Sequence, residues 1–217
     1  MKQDSSEANL ILITGDLYIP SRVSEIPEEI RNILSQKKGK FEYIFTTGCS
    51  SDVESINWLK SLLKVSSSGK NFIEAKASDS LDHNSNQTIV KSNLSGLNEI
   101  ESVKVGQFLI SVTNGHQNIP WGDIESLSSI QKQTGCDILI SGYTHKPSIS
   151  NYEGKYFINP GSLTGAYSPL HNNPSPSFII LLISGDLGSA YLYELNTSTK
   201  NFEISKIEIN KIKTDQS

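Results

Sequence analysis

The residues of this chain able to do chemistry gather at four places where an apolar run gives way to glycine or a short polar turn. These are Gly15-Asp16-Leu17-Tyr18, Gly48-Cys49, Asn114-Gly115-His116 and Gly142-Tyr143-Thr144-His145. A strand that ends in a glycine turn lifts a polar cluster off a sheet edge, which is where α/β proteins usually keep catalytic and binding groups. His145 is an imidazole that could ligate a metal, and Asp16 is delivered by the buried-strand run Leu10 to Thr14. Two histidines spaced two apart after a tight turn can converge on one ion, but the companion of His145 is Tyr143. A neutral phenol is a poor ligand for a divalent cation.

Composition narrows what these residues can serve. A length of 217 suits one sizeable α/β domain. A net charge of −4 and a lack of long basic runs argue against nucleic acid as partner. No apolar stretch approaches the roughly 20 residues of a membrane span, and the acidic start Met1 to Glu7 is unlike a secretory signal. Cys49 and Cys136 stand far apart without metal-binding spacing, so reduced thiols in the cytosol are the expectation.

The elements that must position the polar clusters follow from periodicity. Leu10 to Thr14, Tyr43 to Thr47 and Asp137 to Ile140 read as buried strands, and Phe72 to Ala75 as a weaker one. Pro27-Glu28-Glu29 opens a helix with Ile30, Ile33 and Leu34 on one face. Ser51-Asp52-Val53-Glu54 reads as a capping box for a helix whose apolar face is Val53, Ile56, Leu59 and Leu63. Asp123 caps a third helix through Ile124, Leu127, Ile130 and Gln131. Strands are also expected over Val103 to Thr113 (a pair bent at Gly106), Ile149 to Ile158 (a hairpin), Phe178 to Ile183, Ala190 to Leu195 and Phe202 to Ile209. The order favours two face-to-face sheets with helices outside. It implies a domain over residues 10–210, a polar loop insertion at 78–98, a disordered tail at 1–9 and a frayed tail at 211–217.

The four clusters resemble the motifs of calcineurin-type metallophosphoesterases, and a longer resemblance is to the small subunits of retromer. It rests on Gly15-Asp16-Leu17-Tyr18-Ile19-Pro20, on Gly115 to Asp123 (GHQNIPWGD) and on Asn159 to Tyr167 (NPGSLTGAY). The resemblance implies an α/β fold, the four-layer α-β-β-α metallophosphoesterase-like sandwich, and a scaffold role in endosomal cargo sorting. Of the family's metal positions only Asp16 and His145 persist; the others correspond to Tyr18, Cys49, Ala77 (or Asp79), Asn114 and Tyr143. Two divalent ions bring four positive charges, which carboxylates must neutralise to offset lost hydration. One Asp and one His do not suffice, so the site reads as degenerate and non-catalytic, with no cofactor beyond at most one weakly bound divalent ion on Asp16, His145 and Cys49. Asp16 and His145 are then expected to hydrogen-bond each other or nearby backbone, while Tyr18 and Tyr143 fill the vacated volume. His116 is expected to orient its loop through backbone, and His83 and His171 to be solvated. The competing readings are a weak metal-dependent phosphoesterase using Asp16, His145 and Asp79, Cys49 or His116, and a stand-alone binding module.

If chemistry is lost, surfaces must act. Ile119, Pro120 and Trp121 follow a polar loop and can face outward as partner anchors, although Trp121 could equally cover the helix start. The resemblance implies that Ile119 docks into the helical-solenoid subunit of retromer, vacuolar protein sorting-associated protein 35. It also implies a second, regulator-binding patch at Ile180, Tyr191, Tyr193 and Ile204, with Ile33 and Leu34 nearby. Along that strand Phe178 and Leu182 are expected in the core and Ile180 partly exposed. The implied location is cytoplasmic, peripheral on endosomal membranes through the complex, with no direct membrane insertion.

Overall fold

The computed structural model describes residues 8–48, 52–65, 69–75 and 99–211. Along them run β1 (Asn9–Thr14), α1 (Glu28–Ser35), β2 (Tyr43–Thr46), α2 (Val53–Lys60), β3 (Phe72–Glu74), β4 (Ile100–Val105) and β5 (Phe108–Thr113). There follow α3 (Ile124–Thr134), β6 (Ile138–Ser141), β7 (Ser148–Tyr152), β8 (Lys155–Asn159), β9 (Ser177–Ser184), β10 (Leu187–Leu195) and β11 (Phe202–Asn210). One sheet has the order β11-β10-β9-β1-β2-β3, the other β4-β5-β6-β8-β7. The segments expected as an insertion at 78–98 and most of both tails lie outside the described residues. At the edges of the described residues, Asn9 pairs in β1 and Lys211 is held by an ion pair to Asp137.

Alternation sorts the apolar residues into layers. Ile11 and Ile13 of β1 face Ile110, Ile138 and Ile140 across a core between the sheets. Leu12 and Ile44 point the other way, onto Ile30 and Leu34 of α1 and Leu59 of α2. Leu139 and Phe157 pack outward on Leu127 of α3. The four layers are therefore helix, sheet, sheet, helix. Two details differ from expectation. The cap of α2 is Asp52, whose carboxylate accepts from Ser55 N–H at 2.9 Å, and Val53 is exposed while Leu62 joins the core. Starting the helix at Val53 rotates that residue out of the buried stripe.

Asp137, just before β6, closes the far end of the sandwich. Its carboxylate accepts from Leu109 N–H at 3.0 Å, Lys155 Nζ at 2.9 Å and Lys211 Nζ at 2.8 Å. Burial alone would raise its pKa, but the hydrogen bonds from Lys211, Leu109 and Lys155 together hold it below the ordinary carboxylate value. Asp137→Asn is therefore expected to cost about 2 kcal/mol in urea unfolding at neutral pH. A depressed folded pKa gives stabilisation that is complete above the unfolded value and lost as pH falls through the folded one. The gap between wild type and variant should thus persist from pH 7 to about 5 and shrink below about 4. A gap independent of pH would contradict this account.

Candidate functional site: a closed cleft and its apolar rim

The C-terminal ends of β1, β2, β5 and β6 meet at one end of the sandwich and deliver Asp16, Thr47, Asn114 and the Tyr143–His145 turn to one cleft. Asp16 and His145 are both fully buried. One carboxylate oxygen of Asp16 accepts from Thr47 Oγ1 at 2.6 Å and Asn114 Nδ2 at 3.3 Å. The other accepts from Tyr143 N–H at 3.2 Å and lies 3.3 Å from His145 Nε2. His145 Nδ1 faces the carbonyl of Ala166, which can only accept, so that nitrogen carries a proton. Nε2 faces the Asp16 carboxylate, to which it can donate only when the ring carries its second proton.

Tyr18 and Arg22 pack beside the pair. The Tyr18 ring lies 5.4 Å from the His145 ring, and the Arg22 guanidinium sits 3.6 Å from the Tyr18 centroid. Arg22 Nη1 also donates to the Tyr167 carbonyl at 2.7 Å. Tyr18, Tyr143 and His145 have φ of 51°, 71° and 55°, left-handed values that cost non-glycine residues about 1 kcal/mol or more each. Strain gathered at one cleft means that the surrounding hydrogen bonds dictate its shape.

The described residues do not by themselves assemble a dinuclear metal centre. Among the described residues no three His, Cys, Asp or Glu side chains group closely enough to hold an ion. Asp16 and His145 supply two ligands, where a zinc ion takes four. Asn114 turns its donor amide toward Asp16. Cys49, Ala77, Asp79 and His83 lie outside the described residues. His116 is held by a side chain, not by backbone as expected: its Nδ1 is 3.1 Å from Asn114 Oδ1. His171 is half-buried and its Nδ1 lies 3.3 Å from the His145 carbonyl, so it is less solvated than its polar loop suggested.

Around this closed cleft stands an apolar rim. Ile119 is 73% exposed. Its loop is fixed by Trp121, whose Nε1 donates to the His116 carbonyl at 2.9 Å and whose ring lies 5.1 Å from Tyr143. Ser126 Oγ, 3.0 Å from Asn118 Oδ1 and 3.2 Å from the Ile119 carbonyl, pins it from the helix side. Trp121 is thus both a brace and a partly exposed surface. Tyr167 and Leu170, each about half exposed, complete the rim. Leu170 and Trp121 flank an open groove of about 380 Å³ floored by Leu127 and Phe157. Periodicity gives no hint that Tyr167 and Leu170 form a surface, since both sit in an irregular Pro- and Asn-rich loop. Their only sequence signal is large apolar side chains where the composition is otherwise polar.

The second patch needs one correction. Ile180 is buried, 4% exposed, in the cluster with Ile30 and Leu34 of α1, whereas Leu182 is 36% exposed. Both lie on the same face of β9, but Ile180 is flanked by Leu12 and Tyr191 beneath the helix, and Leu182 lies one pair beyond that cluster. Tyr191 and Tyr193 are half-buried, with Tyr193 stacked on Phe178 at 4.8 Å. Ile204, opposite Tyr193 on the edge strand β11, is 54% exposed. Ile33 is half-buried and Leu34 fully buried.

Residues 2–186 match the family described as the calcineurin-like phosphoesterase superfamily domain. The chain is 28% identical over 190 residues to vacuolar protein sorting-associated protein 29 of Schizosaccharomyces pombe, covering 86% of this chain and 91% of that one. Among solved structures it resembles Vps29 of Entamoeba histolytica complexed with Zn2+ (36% identity, TM-score 0.76, 93% of this chain and 99% of that one). It also resembles Vps29 of Cryptosporidium parvum (32% identity, TM-score 0.79, 94% and 99%). Fold, cleft and these similarities agree: the chain belongs to the calcineurin-like phosphoesterase superfamily and, within it, to the Vps29 family.

Proposed function

We propose that this chain is a non-catalytic scaffold subunit of a retromer-type complex in endosomal protein sorting. It binds the helical-solenoid subunit through Ile119, Pro120 and Trp121 at the cleft end. One observation carries this reading: the buried carboxylate of Asp16 accepts from Thr47, Asn114 and Tyr143 of the chain itself and faces His145, while at the same end Ile119 stands 73% exposed on a clamped loop. A buried carboxylate already accepting several hydrogen bonds is a poor ligand or base, and an exposed apolar side chain on a rigid turn is a typical interface anchor. Regulators would bind at Tyr191, Tyr193, Ile204 and the neighbouring Leu182. The protein would act at the cytosolic face of endosomes, held there by the complex.

The test is Ile119→Asp, assayed by calorimetry against the helical-solenoid retromer subunit. A central anchor is worth about 2–4 kcal/mol, so affinity is expected to fall roughly 30- to 1,000-fold. The melting temperature should not move, because Ile119 makes little contact with the core. Unchanged affinity would overturn the scaffold assignment.

A further inference from the structure

Six of the chain's nineteen basic residues lie close together at the end of the first sheet opposite the cleft. Lys37, Lys38 and Lys40 occupy the turn after α1, Lys60 and Lys64 the end of α2 and the turn beyond it, and Lys70 the approach to β3. Backbone hydrogen bonds tie these turns together: Gly39 N–H donates to the Leu62 carbonyl at 2.9 Å and Lys64 N–H to the Phe41 carbonyl at 2.8 Å. Asn71 Nδ2 donates to the Glu42 carbonyl at 2.7 Å, joining the approach to β3 to the same end. Lys60 Nζ rests 5.1 Å from the Phe72 ring centroid. Among the described residues one ion pair forms within this group, Lys64 to Glu42 at 3.6 Å. Lys38, Lys40, Lys60 and Lys70 are exposed, as is Val65 beside them.

We propose that this lysine-rich end binds an acidic, Asp- and Glu-rich segment of a partner protein. On a chain of net charge −4, six lysines against Glu42 and the half-buried Glu74 make, among the described residues, a local positive pole. Like charges in excess on joined turns repel one another, and an extended polyanionic segment relieves that repulsion without reordering the protein. A short segment need touch only this pole, whereas an anionic bilayer would also face the acidic remainder of the surface. Val65 is the one large, fully exposed apolar side chain here, too little area to add membrane insertion to the electrostatic attraction.

The test uses the full chain and a fluorescein-labelled peptide of Asp and Glu residues, followed by anisotropy. Binding is expected, and it should weaken as salt rises from about 0.05 to 0.5 M. Lys37→Glu/Lys38→Glu/Lys40→Glu should reduce affinity roughly tenfold to a hundredfold, with the milder Lys37→Gln/Lys38→Gln/Lys40→Gln variant falling in between. Lys146→Glu, at the cleft end, should leave affinity unchanged. Circular dichroism checks that the variants remain folded. Failure of the wild type to bind, indifference to charge reversal, or capture by phosphatidylserine vesicles in place of the peptide would each overturn the proposal.

Discussion

Asp16→Ala is expected to lower the unfolding free energy by about 3–5 kcal/mol, a large share of the 5–15 kcal/mol typical of a domain. Three donors converge on this carboxylate, Thr47 Oγ1, Asn114 Nδ2 and Tyr143 N–H, and His145 Nε2 lies 3.3 Å from it. Thr47 and His145 are fully buried and Asn114 nearly so, so water cannot take the place of the lost acceptor without opening the cleft. Each orphaned donor costs about 1–3 kcal/mol. The Tyr143–His145 turn is itself strained, with both residues at positive φ, and the Asp16 contacts help hold it there. Asp16→Asn should retain shape but set one amide hydrogen against the Asn114 amide, for a loss of roughly 2 kcal/mol. Urea unfolding of chelator-treated protein reads both. A loss below about 1 kcal/mol for Asp16→Ala would mean that the carboxylate is not a structural acceptor, and the cleft would have to be reconsidered as a cation site.

The same cleft marks how far residues and spacing alone could lead. Buried strands announce themselves as short apolar runs, and Asp16, Asn114 and His145 follow such runs directly, so their convergence was readable from the chain. The order of strands within each sheet was not: β9 returns beside β1, and β8 inserts between β6 and β7, through long-range pairings that no local pattern encodes. Exposure at the second patch shows the same limit. Ile180 and Leu182 are both apolar, two apart and on one face, and only the reach of the cluster around α1 decides that one is covered and the other is not. Leu170 and Tyr167 escaped because a surface built from an irregular loop has no period to detect. Asp52 displaced the expected cap because an Asp and a Ser side by side are equally good caps, and the helix start, not the motif, selects between them.

Gly15→Ala should be the most damaging small substitution in the chain, costing roughly 3 kcal/mol or more and lowering the yield of folded protein. A methyl group built on Gly15 would lie 1.8 Å from the Gly161 carbonyl oxygen and 2.6 Å from its carbon. Both are backbone atoms, so no side chain can swing aside and one of two loops must retreat. The 161–166 loop is bound to the β1 end by Ser162 Oγ donating to the Asp16 carbonyl at 2.8 Å and Thr164 Oγ1 donating to the Leu17 carbonyl at 2.7 Å. It also presents the Ala166 carbonyl to His145. Displacing that loop therefore strips polar partners from buried groups as well as forcing an overlap. Gly39→Ala is the control. It too places a side chain at positive φ, 74°, but nothing lies within 4 Å, so only the left-handed penalty of about 1 kcal/mol remains. Equal losses in the two variants would show that backbone conformation, not the approach of Gly15 to Gly161, sets the requirement for glycine. A loss at Gly15 several times larger would tie the cleft's integrity to that single contact between the β1 turn and the loop after β8.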